Sequence, residues 1–505
     1  MANVLFDALF APHKTSDKPF LLGRNQQNHT FRQITELAGR FATLLSSLGA
    51  KSGDRVAVQV EKSPQAVALY AACLQQGLVF LPLNTAYTAT EIDYFIGDAK
   101  PAVFVCDVAN KSDLQAIADA NKCHLLTMGA DGTGSLTQQA QALSVTETAT
   151  DRGGEDLAAI LYTSGTTGRS KGAMLTHRNL LSNAITLKDY WHFTESDVLL
   201  HGLPIYHTHG LFVAMNTILL AGSSCIFLPA FNLDDFIERL PDATSMMGVP
   251  TFYTRLLSDE RFNKSLVSHM RLFTSGSAPL LAETHEAFAA RTGHRILERY
   301  GMTETNMTTS NPYDGDRRAG TVGFPLPGVQ TRIIDPETDK QSDINQIGIL
   351  EVHGDNVFKG YWQMPEKTAA EFKPDGFFIT GDMAKQDDDG YIHIVGRDKD
   401  LIISGGFNIY PKEIELVLDE QPGVMESAVV AAPHPDFGEG VVAILVAEEN
   451  QTIDIESVKN VTGNSLAKFK QPKTYLVVDQ LPRNTMGKVQ KNVLRDKFQQ
   501  AFSVS

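Results

Sequence analysis

The stretch Leu157-Ala-Ala-Ile-Leu-Tyr-Thr-Ser-Gly-Thr-Thr-Gly-Arg-Ser-Lys-Gly172 sets the terms on which the rest of the 505-residue chain is read. Its apolar start, Leu157 to Leu161, predicts a buried strand, and the run of Ser, Thr and Gly with the cations Arg169 and Lys171 predicts a loop at its end. Gly165, Gly168 and Gly172 let a ligand approach the backbone closely. Thr163, Ser164, Thr166 and Thr167 offer hydroxyls and amides to phosphate oxygens, and Lys171 adds a compact mobile charge. The ligand that such a loop suits is a polyphosphate. It is not the common phosphate loop, because the lysine precedes the last glycine and no magnesium-binding hydroxyl follows it, which excludes the switch-type NTPases. A flexible Ser/Gly linker is the bland alternative. Against it stand the strand before the loop and the amphipathic stretch Leu180, Leu181, Ala184, Ile185 after it.

Working outward toward the N-terminus, Ile34, Leu37, Phe41, Leu44, Leu45 and Leu48 recur at helical spacing before Gly49. Asp54 to Val60 then reads as a strand, Ala66 to Leu78 as a helix, and Val79 to Leu83 and Ala102 to Cys106 as further strands. Strands alternating with helices predict a largely parallel α/β sheet with crossover connections. The threonine-rich segment 144–155 reads as a surface connection into the phosphate loop.

Toward the C-terminus, the apolar segment Val198 to Phe212 carries His201, His207 and His209. His207 and His209 are two apart and would not share a helix face, and no acidic or cysteine partner stands beside them, so a metal site is disfavoured. A lone histidine is usually structural, yet the glycine and aromatic neighbours suit a bend beside a pocket, and His207 is kept as a candidate. Pro250 can begin a helix with Arg255 about one turn in. Leu272 to Leu280 is a strand ending in small residues, and Arg295 to Tyr300 opens into Gly301-Met-Thr-Glu-Thr305. Three strands ending in loops of Gly, Ser and Thr argue for one composite site at strand carboxyl ends. Beyond Gly320 the pattern shortens to alternating runs such as Gly348 to His353 and Tyr391 to Val395, a β-rich subdomain. The charged turn Gly396-Arg-Asp-Lys-Asp400 is followed by about a hundred residues, enough for a small α+β domain. The expected division is therefore a large domain over 1–396, a hinge at 397–400 and a small domain over 401–505.

A composition 43% hydrophobic and 20% charged is that of a globular protein, and the length requires more than one core. The net charge of −15 argues against a nucleic-acid or anionic-membrane partner. No stretch approaches the roughly 18 apolar residues of a membrane span, and the N-terminus lacks a basic region followed by an apolar run, so a cytoplasmic location is expected. Cys73, Cys106, Cys123 and Cys225 have no pairing or zinc-like spacing.

Taken together, Tyr162 to Gly172, Tyr300-Gly-Met-Thr-Glu304, Ile379-Thr-Gly-Asp382, Gly396-Arg397 with Gly405-Gly406, and Pro482-Arg-Asn-Thr-Met-Gly-Lys488 resemble, in order and spacing, the core motifs of the adenylate-forming superfamily of acyl-CoA synthetases, luciferases and peptide-synthetase adenylation domains. The resemblance spans essentially the whole chain. Within the superfamily, Pro204 to Phe212, Gly248 to Arg255 and Leu297 to Met307 look like the malonyl-CoA synthetases.

That resemblance implies a fold of stacked α/β sheets with a β-rich subdomain and a small mobile α+β lid. The reaction implied joins malonate to CoA at the expense of ATP, with Mg²⁺, through a malonyl-adenylate, in a monomer or homodimer. By the same resemblance the loop from Thr163 through Ser164, Gly165, Thr166, Thr167 and Gly168 to Lys171 cradles the β- and γ-phosphates. Thr303 meets the α-phosphate and Glu304 holds Mg²⁺. The segments Ser277, Ala278, Pro279 and Glu298, Arg299, Tyr300, Gly301, Met302 flank the nucleoside, Asp382 and Arg397 its ribose. Lys488 is implied as the cation of adenylation, Lys399 as the pivot, and Ser404, Gly405 and Gly406 as the lining of the thiol channel. His207, Thr208, Ser277 and Met307 border the acid. Because a stranded malonate carboxylate would cost several kcal/mol, an arginine is expected opposite it; Arg255 is the first choice and Arg299 the competitor. Oxalate, methylmalonate or another short acid, or a carrier-protein thiol, are the alternative substrates.

Overall fold

The computed structural model describes residues 2–23, 27–163, 170–404, 407–434, 437–466, 468–484 and 487–502. Ser164, Gly165, Thr166, Thr167 and Gly168 of the phosphate loop, and Gly405 and Gly406, lie outside the described residues.

Contacts gather the chain into two units, one of Met1–Ala319, Gly323–Gln330 and Val352–Phe378, the other of Gly320–Val322, Thr331–Glu351 and Ile379–Ser505. The division falls before residue 396. The cause is the β-rich subdomain: its strands, ordered Lys340–Gln341, Val329–Asp335, Gly348–Gly354, Phe378–Gln386 and Ile392–Arg397, make a sheet that clusters largely with the C-terminal residues.

The first unit holds a nine-stranded sheet, ordered Phe324–Pro325, Asn306–Ser310, Leu297–Met302, Leu272–Ser275, Ser245–Gly248, Val198–His201, Ser224–Phe227, Pro19–Leu22, Asn28–Thr30. It also holds a seven-stranded one, Gly360–Tyr361, Lys171–Thr176, Leu157–Thr163, Val79–Pro82, Arg55–Gln59, Val103–Cys106, His124–Thr127. Both are parallel through their centres, as the alternation of strand and helix patterns requires. The helices are bounded by local capping residues. Thr30 and Gln33 form a capping box for Phe31–Ser47. Ser63 caps Pro64–Gln76, Pro64 fills its first position and Gly77 closes it at φ 66°. That helix is buried from Ala66 to Gln75. Tyr70 explains why: its ring meets Phe80 of the seven-stranded sheet and Phe212, downstream of the nine-stranded sheet's strand Val198–His201. A helix between two sheets has no polar face to keep.

Leu157–Thr163 pairs antiparallel with Lys171–Thr176, Thr163 opposite Lys171, so Lys171 opens a strand that runs back beside the first. Gly172 serves packing, since a Cβ there would stand 2.9 Å from Ile160 Cγ2. Likewise Leu297–Met302 folds back on Asn306–Ser310, and a Cβ on Gly301 would fall 1.8 Å from the Asn306 carbonyl oxygen.

In the second unit, Gly438–Ala447 lies between Val424–His434 and Thr474–Val478, and Ile402–Ser404 pairs with both it and Phe407–Ile409. Successive side chains alternate between two cores. Val429, Val441, Ala443 and Leu445 pack with Ile414 and Leu418, while Ala428, Val430, Val442 and Ile444 pack with Leu481 and Leu494. Among the described residues no helix is long and apolar enough to cross a membrane.

Candidate active site

The hairpin end at Thr163 and the turn at Glu304 meet within the first unit. Thr163 Oγ1 stands 3.5 Å from Glu304 Oε1, and the Tyr361 hydroxyl lies 3.1 Å from the same oxygen and 2.7 Å from Glu371 Oε2. Lys171 Nζ is 3.4 Å from Glu371 Oε1 and lies over the Tyr361 ring at 4.2 Å. Burial, then the two carboxylates, push the Tyr361 phenol far up, so it stays a donor. Burial alone would raise the Glu371 carboxyl, but Lys367, Tyr361 and Lys171 together hold it below the usual range. Lys171 is thus paired with a carboxylate from the helix Pro365–Glu371.

Glu304 is 5% exposed. Among the described residues no group of three His, Cys, Asp or Glu could hold a metal, so an ion at Glu304 must complete its shell from phosphate oxygens and water. That donor set fits Mg²⁺, which retains much of its hydration.

Along the nine-stranded sheet, the ends of Leu272–Ser275 and Leu297–Met302 bring Ser277 and Arg299 to one place. The Arg299 guanidinium packs on the Gly276 backbone, where a Cβ would stand 2.2 Å from Nη1. Arg299 is 2% exposed, and its Nε and Nη2 have no hydrogen-bond partner among the described residues. Burial pushes it down to about 9, with Tyr253 and Glu298 opposing. Ser277 adopts φ 71°, a left-handed conformation uncommon for serine, and its hydroxyl lies 3.1 Å from His209 Nδ1. His209 is held neutral by burial and by Arg299, His207 and His201. The Thr208 hydroxyl is buried without a partner, and the His209 amide donates to His207 Nδ1 at 3.3 Å. Met307 is buried, with its methyl against Gly301. Tyr300, Met302, Thr303 and Ala278 are half-buried, Pro279 exposed. Glu298 accepts from the Leu280 amide at 3.1 Å, which anchors the Ser277 loop.

Arg255 differs from Arg299 in its exposure to water. On the helix Pro250–Leu257 it is exposed, its guanidinium 5.8 Å above the Phe231 ring. Asp259, two residues after that helix, pairs with Arg261.

In the second unit Asp382 is 4% exposed and pairs with Arg397 across two strands, Oδ1 to Nε 2.9 Å. Lys399 lies in the single turn Asp398–Asp400, whose end is tied by Asp400 to Arg495 at 2.8 Å. Ser404 is buried at the end of Ile402–Ser404. Lys488 is exposed on a tight loop in which its amide donates to Asn484 Oδ1 at 2.9 Å and Arg483 donates to the Gly487 carbonyl at 2.6 Å.

Sequence reasoning missed Tyr361, Glu371 and Gly276. Tyr361 and Glu371 lie 57 and 67 residues beyond Glu304, with no local pattern that joins them; Gly276, between two serines, read only as a small loop residue.

The profile of the AMP-binding enzyme family matches residues 10–362, and that of the AMP-binding enzyme C-terminal domain matches residues 413–488. The chain belongs to the AMP-binding enzyme family. The crystal structure of ATP-bound MatB from Rhodopseudomonas palustris superposes with a TM-score of 0.97 and 56% identity, covering 100% of both chains. A malonate–CoA ligase of Arabidopsis thaliana is 32% identical over 98% of this chain and 89% of its own. A long-chain-fatty-acid–CoA ligase of Bacillus subtilis is 31% identical over 91% and 88%. Identity near 30% therefore spans acids of opposite polarity, and the choice of acid has to be argued from the pocket.

Proposed function

We propose that the chain is an AMP-forming malonate–CoA ligase. In its first step a malonate carboxylate oxygen attacks the α-phosphorus of ATP, the α–β bridging bond breaks and pyrophosphate leaves. In its second the CoA sulfur, its proton lost, attacks the acyl carbon and AMP departs. The observation that carries the malonate assignment is Arg299, buried and without a hydrogen-bond partner on two of its nitrogens. An uncompensated interior cation is costly unless a ligand pairs with it. A long alkyl chain would leave it unpaired; the distal carboxylate of malonate fits its fork. Ser277, whose hydroxyl meets His209, and Thr208, whose hydroxyl is buried without a partner, are the proposed hydroxyl donors.

The other roles belong to the same proposal. The loop from Thr163 to Lys171 positions the phosphates, Tyr300 stacks on adenine, and Asp382 accepts from the ribose hydroxyls with Arg397 steadying it. A magnesium ion at Glu304 would neutralise charge that builds on the departing pyrophosphate. Lys488 serves adenylation, Lys399 lies at the pivot, and Ser404, Gly405 and Gly406 line the path of the thiol. We place the reaction in the cytoplasm of its cell, a reading supported by four free, buried cysteines.

The test is CoA-dependent AMP formation with malonate, methylmalonate, oxalate, acetate and octanoate. Malonate should give the highest kcat/KM, and a higher value with octanoate would overturn the proposal.

A further inference from the structure

Lys62 and His201 have no part in the roles above, yet both are buried, at 8% and 0% exposure. Lys62 sits between the strand Arg55–Gln59 and the helix cap Ser63, and His201 ends the strand Val198–His201. Lys62 Nζ is 2.7 Å from His201 Nδ1, 2.9 Å from the His201 carbonyl oxygen and 4.4 Å from the centre of the Phe227 ring. His201 Nε2 is 2.8 Å from the Gly210 carbonyl oxygen. A carbonyl only accepts, so Nε2 carries the ring proton and Nδ1 offers its lone pair to the lysine. The direction of every bond is thereby set, from the Lys62 N–H into His201 and from His201 into Gly210.

Gly210 is the second residue of His209–Met215, a π-helical segment, a rare form found frequently at functional sites. The chain is already folded hard there, since a Cβ on Gly210 would stand 2.0 Å from the Pro204 carbonyl oxygen. Thr208 and His209 directly precede it, and His209 is the residue that reaches Ser277 and feels Arg299. An apolar side chain would fill the space around Lys62 at far lower desolvation cost. Among the described residues no carboxylate pairs with Lys62; Cys225 is its titratable neighbour besides His201.

We infer that Lys62, acting through His201 and the Gly210 carbonyl, is a positioning residue that fixes Thr208 and His209 in the acyl pocket and so sets how strictly the enzyme distinguishes malonate from acids substituted at C2. The inference rests on the acyl pocket proposed above. Lys62 touches no reacting atom; its effect travels along three hydrogen bonds into the backbone that carries the pocket.

The experiment compares full-length Lys62→Met, His201→Leu and His201→Gln with the parent, taking kcat and KM for malonate, methylmalonate and ATP, and a thermal melt for each. Lys62→Met and His201→Leu should raise the malonate KM about tenfold and shift the methylmalonate-to-malonate ratio of kcat/KM at least about fivefold, with the ATP KM within about twofold of the parent. His201→Gln, whose amide can still donate to the Gly210 carbonyl, should return the ratio toward the parental value. A folded Lys62→Met with a parental ratio overturns the inference. Should that variant fail to fold, equal ratios in His201→Leu and His201→Gln overturn it instead. Failure of the malonate reading itself shows separately, as a parent enzyme that does not prefer malonate.

Discussion

Replacing Arg299 by methionine separates function from stability, because the two should move in opposite directions. Methionine keeps much of the side-chain length and apolar contact but removes the cation. In the parent with malonate bound, the distal carboxylate meets the guanidinium; in the variant it is buried alone, at a cost of about 3–5 kcal/mol. That corresponds to a loss in kcat/KM on the order of 150- to 5000-fold. Without malonate the balance reverses. Burial lowers Arg299 from its ordinary value to about 9, and at about 1.4 kcal/mol per tenfold this sets a ceiling of roughly 5 kcal/mol on the cost of keeping the cation in the folded protein. The folded pKa is the lower one, so the cost is present in full below pH 9 and fades only above it. At pH 7.5 the ligand-free variant should therefore melt higher than the parent. Adding malonate should raise the melting temperature of the parent and leave the variant unmoved. Steady-state AMP formation and a thermal-shift series read both effects. A fall in malonate kcat/KM of less than about tenfold, with Arg255→Ala losing more, would move the carboxylate-binding role to Arg255 and refute the argument from burial. The expectation for Arg255→Ala is a smaller loss, because its exposed guanidinium is screened by water.

Lys488→Ala should abolish formation of the adenylate while sparing thioester formation from supplied malonyl-AMP; equal loss of both half-reactions counts against an adenylation role. Thr208→Gly should favour methylmalonate over malonate relative to the parent, since the Thr208 hydroxyl is buried without a partner and its removal strands no donor, whereas an unchanged ratio places Thr208 outside the pocket. Lys399→Pro locks φ near −65° in the turn Asp398–Asp400; pyrophosphate release should persist for a first turnover while malonyl-CoA formation collapses, and near-parental malonyl-CoA synthesis puts the pivot elsewhere. Burial lowers Lys62 from 10.5 to about 7, with Cys225 opposing. Unfolding therefore takes up a proton between those values, and stability gains up to about 1.4 kcal/mol per pH from pH 7 upward. In denaturant titrations at pH 7 and 8.5, Lys62→Met should lack that share of the slope, and identical slopes would mean that Lys62 titrates normally.

What could be read from the chain alone divides along a physical line. Helices and their ends were legible because their causes are local, as in the Thr30 and Gln33 capping box or the Ser63, Pro64 and Gly77 set around a buried helix. The phosphate loop and the Asp382 motif are local signals of the same kind, short runs of small and polar residues from which the proposed phosphate and ribose roles are argued. The acid is different. In the proposed pocket its recognition turns on which guanidinium is buried, and burial depends on packing between segments far apart. Arg255 lies at the edge of the stripe formed by Phe252, Tyr253 and Leu256, so helical spacing left it plausible as an inward residue. Arg299 lies in a sheet flanked on both sides, where both faces of a strand are covered, and Gly276, from a neighbouring loop, clears the space for it. Lys62, next to Ser63-Pro64, reads as any solvated lysine until His201, 139 residues away, is seen against it. Adenylation could thus be argued from motifs, while the proposed preference for a diacid is argued from a cation whose burial no local pattern reveals.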